Sequence, residues 1–287
     1  MIPNSNQERF YQSQVLSDKE FEQLSTFIYS QYGIKMPPIK RVMLQGRLQK
    51  RLRQLNIPTF KDYCNYVFSQ NGAEEVIHMM DVVSTNKTDF FREPVHFEYL
   101  RETVLPEFIN RGKRFVKVWS AGSSSGEEAY TIAITLNEFS ETKRQIDFQI
   151  IGTDISTIVL NTAIEGIYKE ARLEGIPLNI KHKYFLKSRD PDKKLVRVVP
   201  KLRAKVKFGR LNFMDTTYPI NETFDVIFCR NTLIYFDRET QEKVISKLCN
   251  HLDPNGYFFL GHSESLTNMN VPLKSVKPTI YRKINLM

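Results

Sequence analysis

Cysteine is scarce in this chain, three in 287 residues, and Cys64, Cys229 and Cys249 stand far apart with no CxxC pair. That pattern excludes a disulfide scaffold and a structural Cys/His zinc site. No run approaches the roughly 18 uninterrupted apolar residues of a membrane span. Met1–Arg9 has no apolar stretch of the signal-peptide kind, so a cytoplasmic location is expected. What is present is an ordinary globular composition, 41% hydrophobic and 25% charged, in a chain about twice the usual single-domain length. One large α/β domain with a smaller companion is the economical arrangement.

The net charge is +9, and its distribution matters more than its size. Residues 181–210 hold twelve Lys/Arg against two Asp, and Gln23 to Lys61 carries eight cations and no acid. These patches are docking faces for an acidic partner or merely solvated edges.

The first 80 or so residues read as helices. Ser17-Asp18-Lys19-Glu20 is a capping box, followed by Phe21, Leu24, Ile28 and Tyr32 at helical spacing. Leu44, Leu48, Leu52 and Leu55 form the apolar stripe of a basic helix over about 40–55, with Arg47, Lys50, Arg51 and Arg53 mostly off it. Thr59 with Asp62 starts a third helix, and Val76, Met80 and Val83 mark a fourth. An all-α N-terminal domain over 1–82 follows.

Beyond it, strands and helices alternate: Phe115–Trp119, Gly126–Glu138, Phe148–Thr153, Thr157–Gly166, Phe224–Cys229, Arg238–Leu252 and Tyr257–Leu260, with a turn at Asp253–Gly256 and a weak strand near Pro278–Ile284. The rhythm predicts an α/β domain over 83–287, a mostly parallel sheet covered on both faces, with ligands at the carboxyl ends of its strands. Leu195–Val199 and Ala204–Phe208 break that rhythm and predict a small antiparallel β-subdomain inserted at about 168–213.

Four segments carry the chemistry. Trp119-Ser120-Ala121-Gly122-Ser123-Ser124-Ser125-Gly126-Glu127-Glu128 is a strand, a small-residue loop and a helix start, which lets a cofactor approach the backbone closely. It is neither GxGxxG nor a P-loop. Asp154 ends the next strand, where a carboxylate can accept both hydroxyls of a ribose or cap the following helix. The buried strand Phe224–Cys229 delivers Arg230, Asn231 and Tyr235 to the site edge, where Arg230 could equally pair with a carboxylate and Tyr235 could be packing. Asn86, Thr88 and Arg92 lie on a loop beside apolar Phe90 and Phe91, ahead of a helix opened by Pro94.

Taken in order, Asn86-x-Thr88-x-Phe90-Phe91-Arg92-Glu93, the 119–128 loop, Gly152-Thr153-Asp154-Ile155, Phe228-Cys229-Arg230-Asn231 to Ile234-Tyr235-Phe236, and Gly261-His262-Ser263-Glu264 resemble the CheR family of chemotaxis receptor methyltransferases. The resemblance runs from about residue 17 to the end. It implies a Rossmann-like class I sheet dependent on S-adenosylmethionine, with the β-subdomain and all-α domain already read. It also implies methyl esterification of glutamates on the cytoplasmic signalling helices of chemoreceptors, at membrane-bound receptor arrays. By similarity, Asn86, Thr88, Arg92, Glu127, Asp154, Asn212, Phe213, Arg230 and Asn231 contact the cofactor, and Arg92 and Tyr235 lie nearest the transferred methyl group. No metal is implied. The basic helix 40–55 is then a docking face. Some family members add a receptor's C-terminal peptide to the β-subdomain, but here the loop Ser188–Lys194 lacks glycine, which argues against tethering.

The rival is an RNA methyltransferase using the basic insertion, motivated by a pI near 9.3. Against it, Arg230-Asn231-Thr232-Leu233 is not the Asp-Pro-Pro-Tyr type used on exocyclic amines. Residues 186–205 also interleave no aromatics for base stacking. A third possibility, a non-enzymatic cofactor sensor, sits poorly with Arg92 and Tyr235 both present.

Overall fold

The computed structural model describes residues 15–142 and 146–284; Met1–Arg9, the segment that bears on a signal peptide, lies outside them. The chain divides into two units, one running to Thr85 and taking in Tyr235–Asp237, the other comprising Asn86–Ile234 and the chain from Arg238 onward.

The first unit is a helical bundle. Helix α1 (Asp18–Tyr32) begins with the capping box and stops at Gly33, whose φ of 70° lets its N–H close on the Tyr29 carbonyl. Helices α2 (Arg41–Gln54), α3 (Phe60–Val67) and α4 (Ala73–Val83) follow, α3 capped by Thr59. Leu24, Ile28, Leu44, Leu48 and Leu52 are completely buried, each contributing on the order of 2 kcal/mol of transfer free energy. The basic face of α2 is partly turned inward. Arg51 bonds buried Glu75, and Arg47 donates to the Val83 and Ser84 carbonyls at the end of α4, where a cation suits the helix dipole.

In the second unit, α5 (Val95–Tyr99) runs through a wide turn into α6 (Leu105–Asn110). Strand β1 (Phe115–Ala121), helix α7 (Glu127–Thr142), strand β2 (Asp147–Asp154) and helix α8 (Thr157–Glu165) come next. Strand β3 (Ile167–Lys169), helix α9 (Leu178–Tyr184), β4 (Phe185–Lys187), β5 (Leu195–Val198) and the short α10 (Pro200–Arg203) make up the insertion. The chain ends with β6 (Val206–Arg210), β7 (Phe224–Cys229), α11 (Arg238–Asn250), β8 (Leu252–Leu260), β9 (Leu273–Lys277) and β10 (Ile280–Lys283).

A seven-stranded mixed sheet has the order β6-β2-β1-β7-β8-β10-β9, and a separate three-stranded sheet has the order β3-β5-β4. Strands β6, β2, β1, β7 and β8 are mutually parallel, while β10 runs antiparallel to both its neighbours. All six residues of β7 are buried, as a strand covered on both faces requires.

Three sequence expectations change. The segment Ala204–Phe208 does not belong to the antiparallel insertion: β6 lies parallel to β2 at the edge of the main sheet, Val206 beside Ile150 and Arg210 beside Asp154. Its lysines alternate outward from an edge, which looks like a solvated ribbon when read by composition. The turn at Asp253–Gly256 is absorbed into β8 as an irregularity opposite Phe224–Val226. The last strand is the second arm of a hairpin whose first arm, β9, is largely exposed. The glycine-free turn before β5 forms nonetheless, with Lys194 in the left-handed region at φ 45° and Asp190 capping from its side chain. Among the described residues no helix is long and apolar enough to cross a membrane.

Candidate functional site

The parallel strands end side by side, and the predicted residues follow those ends. From β1, Ala121 leads into the loop Gly122–Gly126, whose Gly122 and Ser123 N–H groups both donate to the Thr153 carbonyl at 2.8 Å. Gly122 and Gly126 take φ of 85° and 93°. A Cβ on Gly122 would lie 2.4 Å from Thr232 Oγ1, and one on Gly126 would lie 2.8 Å from Ala163 Cβ. The loop is small because it is closely packed as well as sharply turned.

Asp154 joins two of these ends. Its Oδ2 accepts from the Ser124 N–H at 2.8 Å and its Oδ1 from the Ser156 N–H at 3.0 Å; the residue that caps α8 is Ser156, not Asp154. Ser124 Oγ donates to the Asn86 carbonyl at 2.8 Å, drawing the 86–92 loop onto the β1 loop. Thr88 is buried and Arg92 half-buried, with Arg92 Nη1 donating to the Lys87 carbonyl at 3.0 Å. Glu127, 1% exposed, accepts from Ser125 Oγ and from Arg172. Beyond β6, Asn212 Oδ1 takes the Met214 N–H at 3.0 Å, and the Phe213 carbonyl takes the Tyr218 hydroxyl at 3.1 Å.

Arg230 realises the alternative that the sequence leaves open. Its guanidinium is 2% exposed and pairs with Glu128 at 3.0 Å and Glu93 at 2.9 Å, and it donates to the Arg92 carbonyl at 2.5 Å. Its two Nη atoms are thus engaged, which places Arg92 and Asn231, while its buried Nε has no hydrogen-bond partner among the described residues. Asn231 Nδ2 reaches Glu93 Oε1 at 3.3 Å. Tyr235 groups with the helical unit, where its carbonyl accepts from the Lys35 N–H at 3.0 Å and Lys40 Nζ lies 6.0 Å over its ring.

Several working residues escape sequence reasoning. Glu264 is buried and accepts the N–H groups of Gly261, Asn231 and Leu233 at 2.7, 2.8 and 2.7 Å, fixing the turn after β7. Glu93, Glu128 and Arg172 act through partners distant in the chain, and for Glu93, Glu128 and Glu264 the one signal in the sequence is membership of the motifs above. Phe91, Glu93, Ser124 and Asn231 all have φ between 48° and 58°. Each such non-glycine residue costs on the order of 1–3 kcal/mol, and all four border the strand ends.

Burial pushes the Glu93 carboxyl up, but Arg230, Asn231 and the His262 N–H outweigh it and hold it below the ordinary range. Burial lifts Glu128 above that range against Arg230 and Ser120, and lifts Glu264 despite its backbone donors. Burial, reinforced by Arg230, brings His96 down to about 4. Glu93, His96 and His262 can bring three ligand atoms within 4.8 Å of one another. The shared Glu93 Oε2 already accepts Arg230 at 2.9 Å and the His262 N–H at 3.2 Å, so a fixed cation opposes a second one there.

A nucleoside-bearing cation fits this edge. The small residues of the β1 loop allow close approach to the backbone, Asp154 supplies a carboxylate, and Ser123 Oγ, 1% exposed, has no hydrogen-bond partner among the described residues. Residues 86–282 match the model for "CheR methyltransferase, SAM binding domain" and residues 19–84 that for "CheR methyltransferase, all-alpha domain". The chain is 37% identical over 285 residues to the chemotaxis protein methyltransferase of Borreliella burgdorferi, covering 98% of this chain and 99% of that one. It is 35% identical to that of Escherichia coli, covering 93% and 91%, and 35% identical to chemotaxis protein methyltransferase 2 of Pseudomonas aeruginosa, covering 92% of each. The RNA methyltransferase alternative gains no support from these relatives. An all-α domain followed by a SAM-binding domain, matched over nearly the whole length, establishes that this chain belongs to the CheR methyltransferase family.

Proposed function

We propose that this chain transfers the methyl group of S-adenosylmethionine to glutamate side-chain carboxylates of chemoreceptors, forming methyl esters. The observation that carries the reading is the convergence of the 86–92 loop, the β1 loop, Asp154 and the turn after β7 at the carboxyl edge of a sheet whose family binds this cofactor. When bound, the cofactor supplies a sulfonium-activated methyl group. Asp154 would accept the ribose hydroxyls, with Ser124 and Ser156 holding its carboxylate in place. Asn86, Thr88, Glu127, Asn212, Phe213 and Asn231 would line the rest, and Arg230 would contribute by fixing the Arg92 backbone.

A glutamate carboxylate has an unperturbed pKa of about 4.3 and arrives ionised at neutral pH, so the protein need not remove a proton. Its work is alignment and removal of water, which contribute up to roughly 7–11 kcal/mol in favourable cases. Arg92 and Tyr235 would orient the incoming carboxylate. Pairing that is too tight would blunt the nucleophile, so orientation rather than neutralisation is their part. Receptor helices would dock on the cationic side of α2 at receptor arrays. Because Arg47 and Arg51 bond inside the bundle, exposed Lys50 carries more of that attraction, which weakens with salt.

The test offers receptor fragments, RNA and DNA side by side with methyl-labelled S-adenosylmethionine. Label on receptor protein that mild base releases as methanol is the expected result. Base-stable label, or label confined to nucleic acid, would overturn the proposal.

A further inference from the structure

The small sheet is the part of the second unit that this chemistry leaves unused, yet it reaches both segments assigned to the cofactor. Arg172 lies in the short helical turn Glu170–Leu173 after β3. Its Nη1 is 2.9 Å from Asp89 Oδ1, and its Nη2 donates to the Thr88 carbonyl and to Glu127 Oε1. One rigid guanidinium fork therefore ties the 86–92 loop to the start of α7. Around it, Tyr168 on β3 donates its hydroxyl to the Ser125 carbonyl at 2.7 Å. The Phe90 ring stands edge-on to Tyr168 at 5.1 Å and to Phe185 on β4 at 5.2 Å. Without Arg172, Glu127 would be a buried carboxylate with only the Ser125 hydroxyl, among the described residues, bonded to its side chain, which disfavours its present position.

We propose that Arg172 is a positioning residue that couples the small sheet to the cofactor pocket, so that cofactor binding and order in the sheet stabilise each other. The inference rests on the assignment of Thr88 and Glu127 to the cofactor. Coupling of this kind is reciprocal: a ligand engaging the sheet changes cofactor affinity by the same factor as the cofactor changes the ligand's, typically about 5–150-fold.

The experiment uses the full chain and S-adenosylhomocysteine as probe, with calorimetry and amide hydrogen exchange. In the unsubstituted protein, the probe is expected to slow exchange in residues 86–92 and also in β3, β4 and β5. Arg172→Ala should raise Kd at least about fivefold and confine the protection to 86–92. Arg172→Lys keeps a cation facing Glu127, and with it the fold, but lacks the fork; it should recover part of the affinity and part of the transmitted protection. Tight binding with unchanged exchange in the small sheet, or unchanged Kd in both variants, would overturn the coupling while leaving the cofactor assignment intact. Failure of the unsubstituted protein to bind the probe would remove that assignment, and the inference with it.

Discussion

Arg230→Gln is the substitution whose cost follows most directly from the geometry. The side chain is 2% exposed and faces Glu128 at 3.0 Å and Glu93 at 2.9 Å, themselves 11% and 12% exposed. At an effective dielectric of about 20, each pair is worth roughly 5 kcal/mol of gross attraction, most of it offset by the desolvation that burial has already imposed. Removing the cation leaves that desolvation uncompensated, so a loss of about 3–5 kcal/mol is expected. For a unit of some 200 residues, this lowers the melting temperature by roughly 6–20 °C. Scanning fluorimetry and urea titration of the cofactor-free protein at pH 7.5 would measure it. Adding Glu128→Gln removes one of the two stranded charges and should recover at least about 1.5 kcal/mol. The sign with pH is fixed too. Without Arg230, both carboxyls rise above their unfolded value, the native state takes up protons first as pH falls, and the deficit shrinks toward pH 5. A loss below about 1 kcal/mol, or a double variant no more stable than the single one, would refute the assignment of Arg230 as the cation that Glu128 and Glu93 share.

Asp154→Asn keeps an acceptor for Ser124 or Ser156 but loses the charge offered to a ribose. Hydrogen bonds to charged groups are worth about 1.5–3 kcal/mol, so calorimetry should show S-adenosylhomocysteine affinity falling roughly 10–100-fold, with some loss of melting temperature from the one backbone N–H left without an acceptor, and equal affinity would take Asp154 out of the site. His96, held down to about 4, stays neutral in the native state while the unfolded chain protonates it near 6.5; its contribution is complete above that value and declines as pH falls from 6.5 to about 4, by roughly 3 kcal/mol. His96→Gln should flatten that part of the stability profile. Gly126→Ala combines φ of 93° with a 2.8 Å contact to Ala163 and should cost about 1–3 kcal/mol together with cofactor affinity. An unchanged melting temperature would mean that the β1 loop relaxes freely.

What the sequence made legible, and what it hid, divides along a physical line. The segments read correctly are those whose patterning is set by burial within themselves. Phe224–Cys229 is apolar but for Asp225 because both faces of the strand are covered, and Leu44, Leu48 and Leu52 repeat at helical spacing because one side of α2 packs inward. β6 and β9 were misplaced or missed because edge strands carry lysines and solvent-facing residues that erase the period. The residues proposed to face the cofactor stand out as short runs with a steric or electrostatic reason at each position. Their supports were not, because Arg230 meets Glu128 and Glu93 across 102 and 137 residues, and no local pattern announces such a pairing. Arg172, 84 residues from Thr88, looks in sequence like any surface cation of a basic insertion. The same guanidinium chemistry that suggested a face for an acidic partner is, at this position, directed inward at Glu127. Net charge can therefore mark a surface for docking only after the cations bonded inside the protein have been set aside, and in this chain Arg47, Arg51, Arg172 and Arg230 are among those.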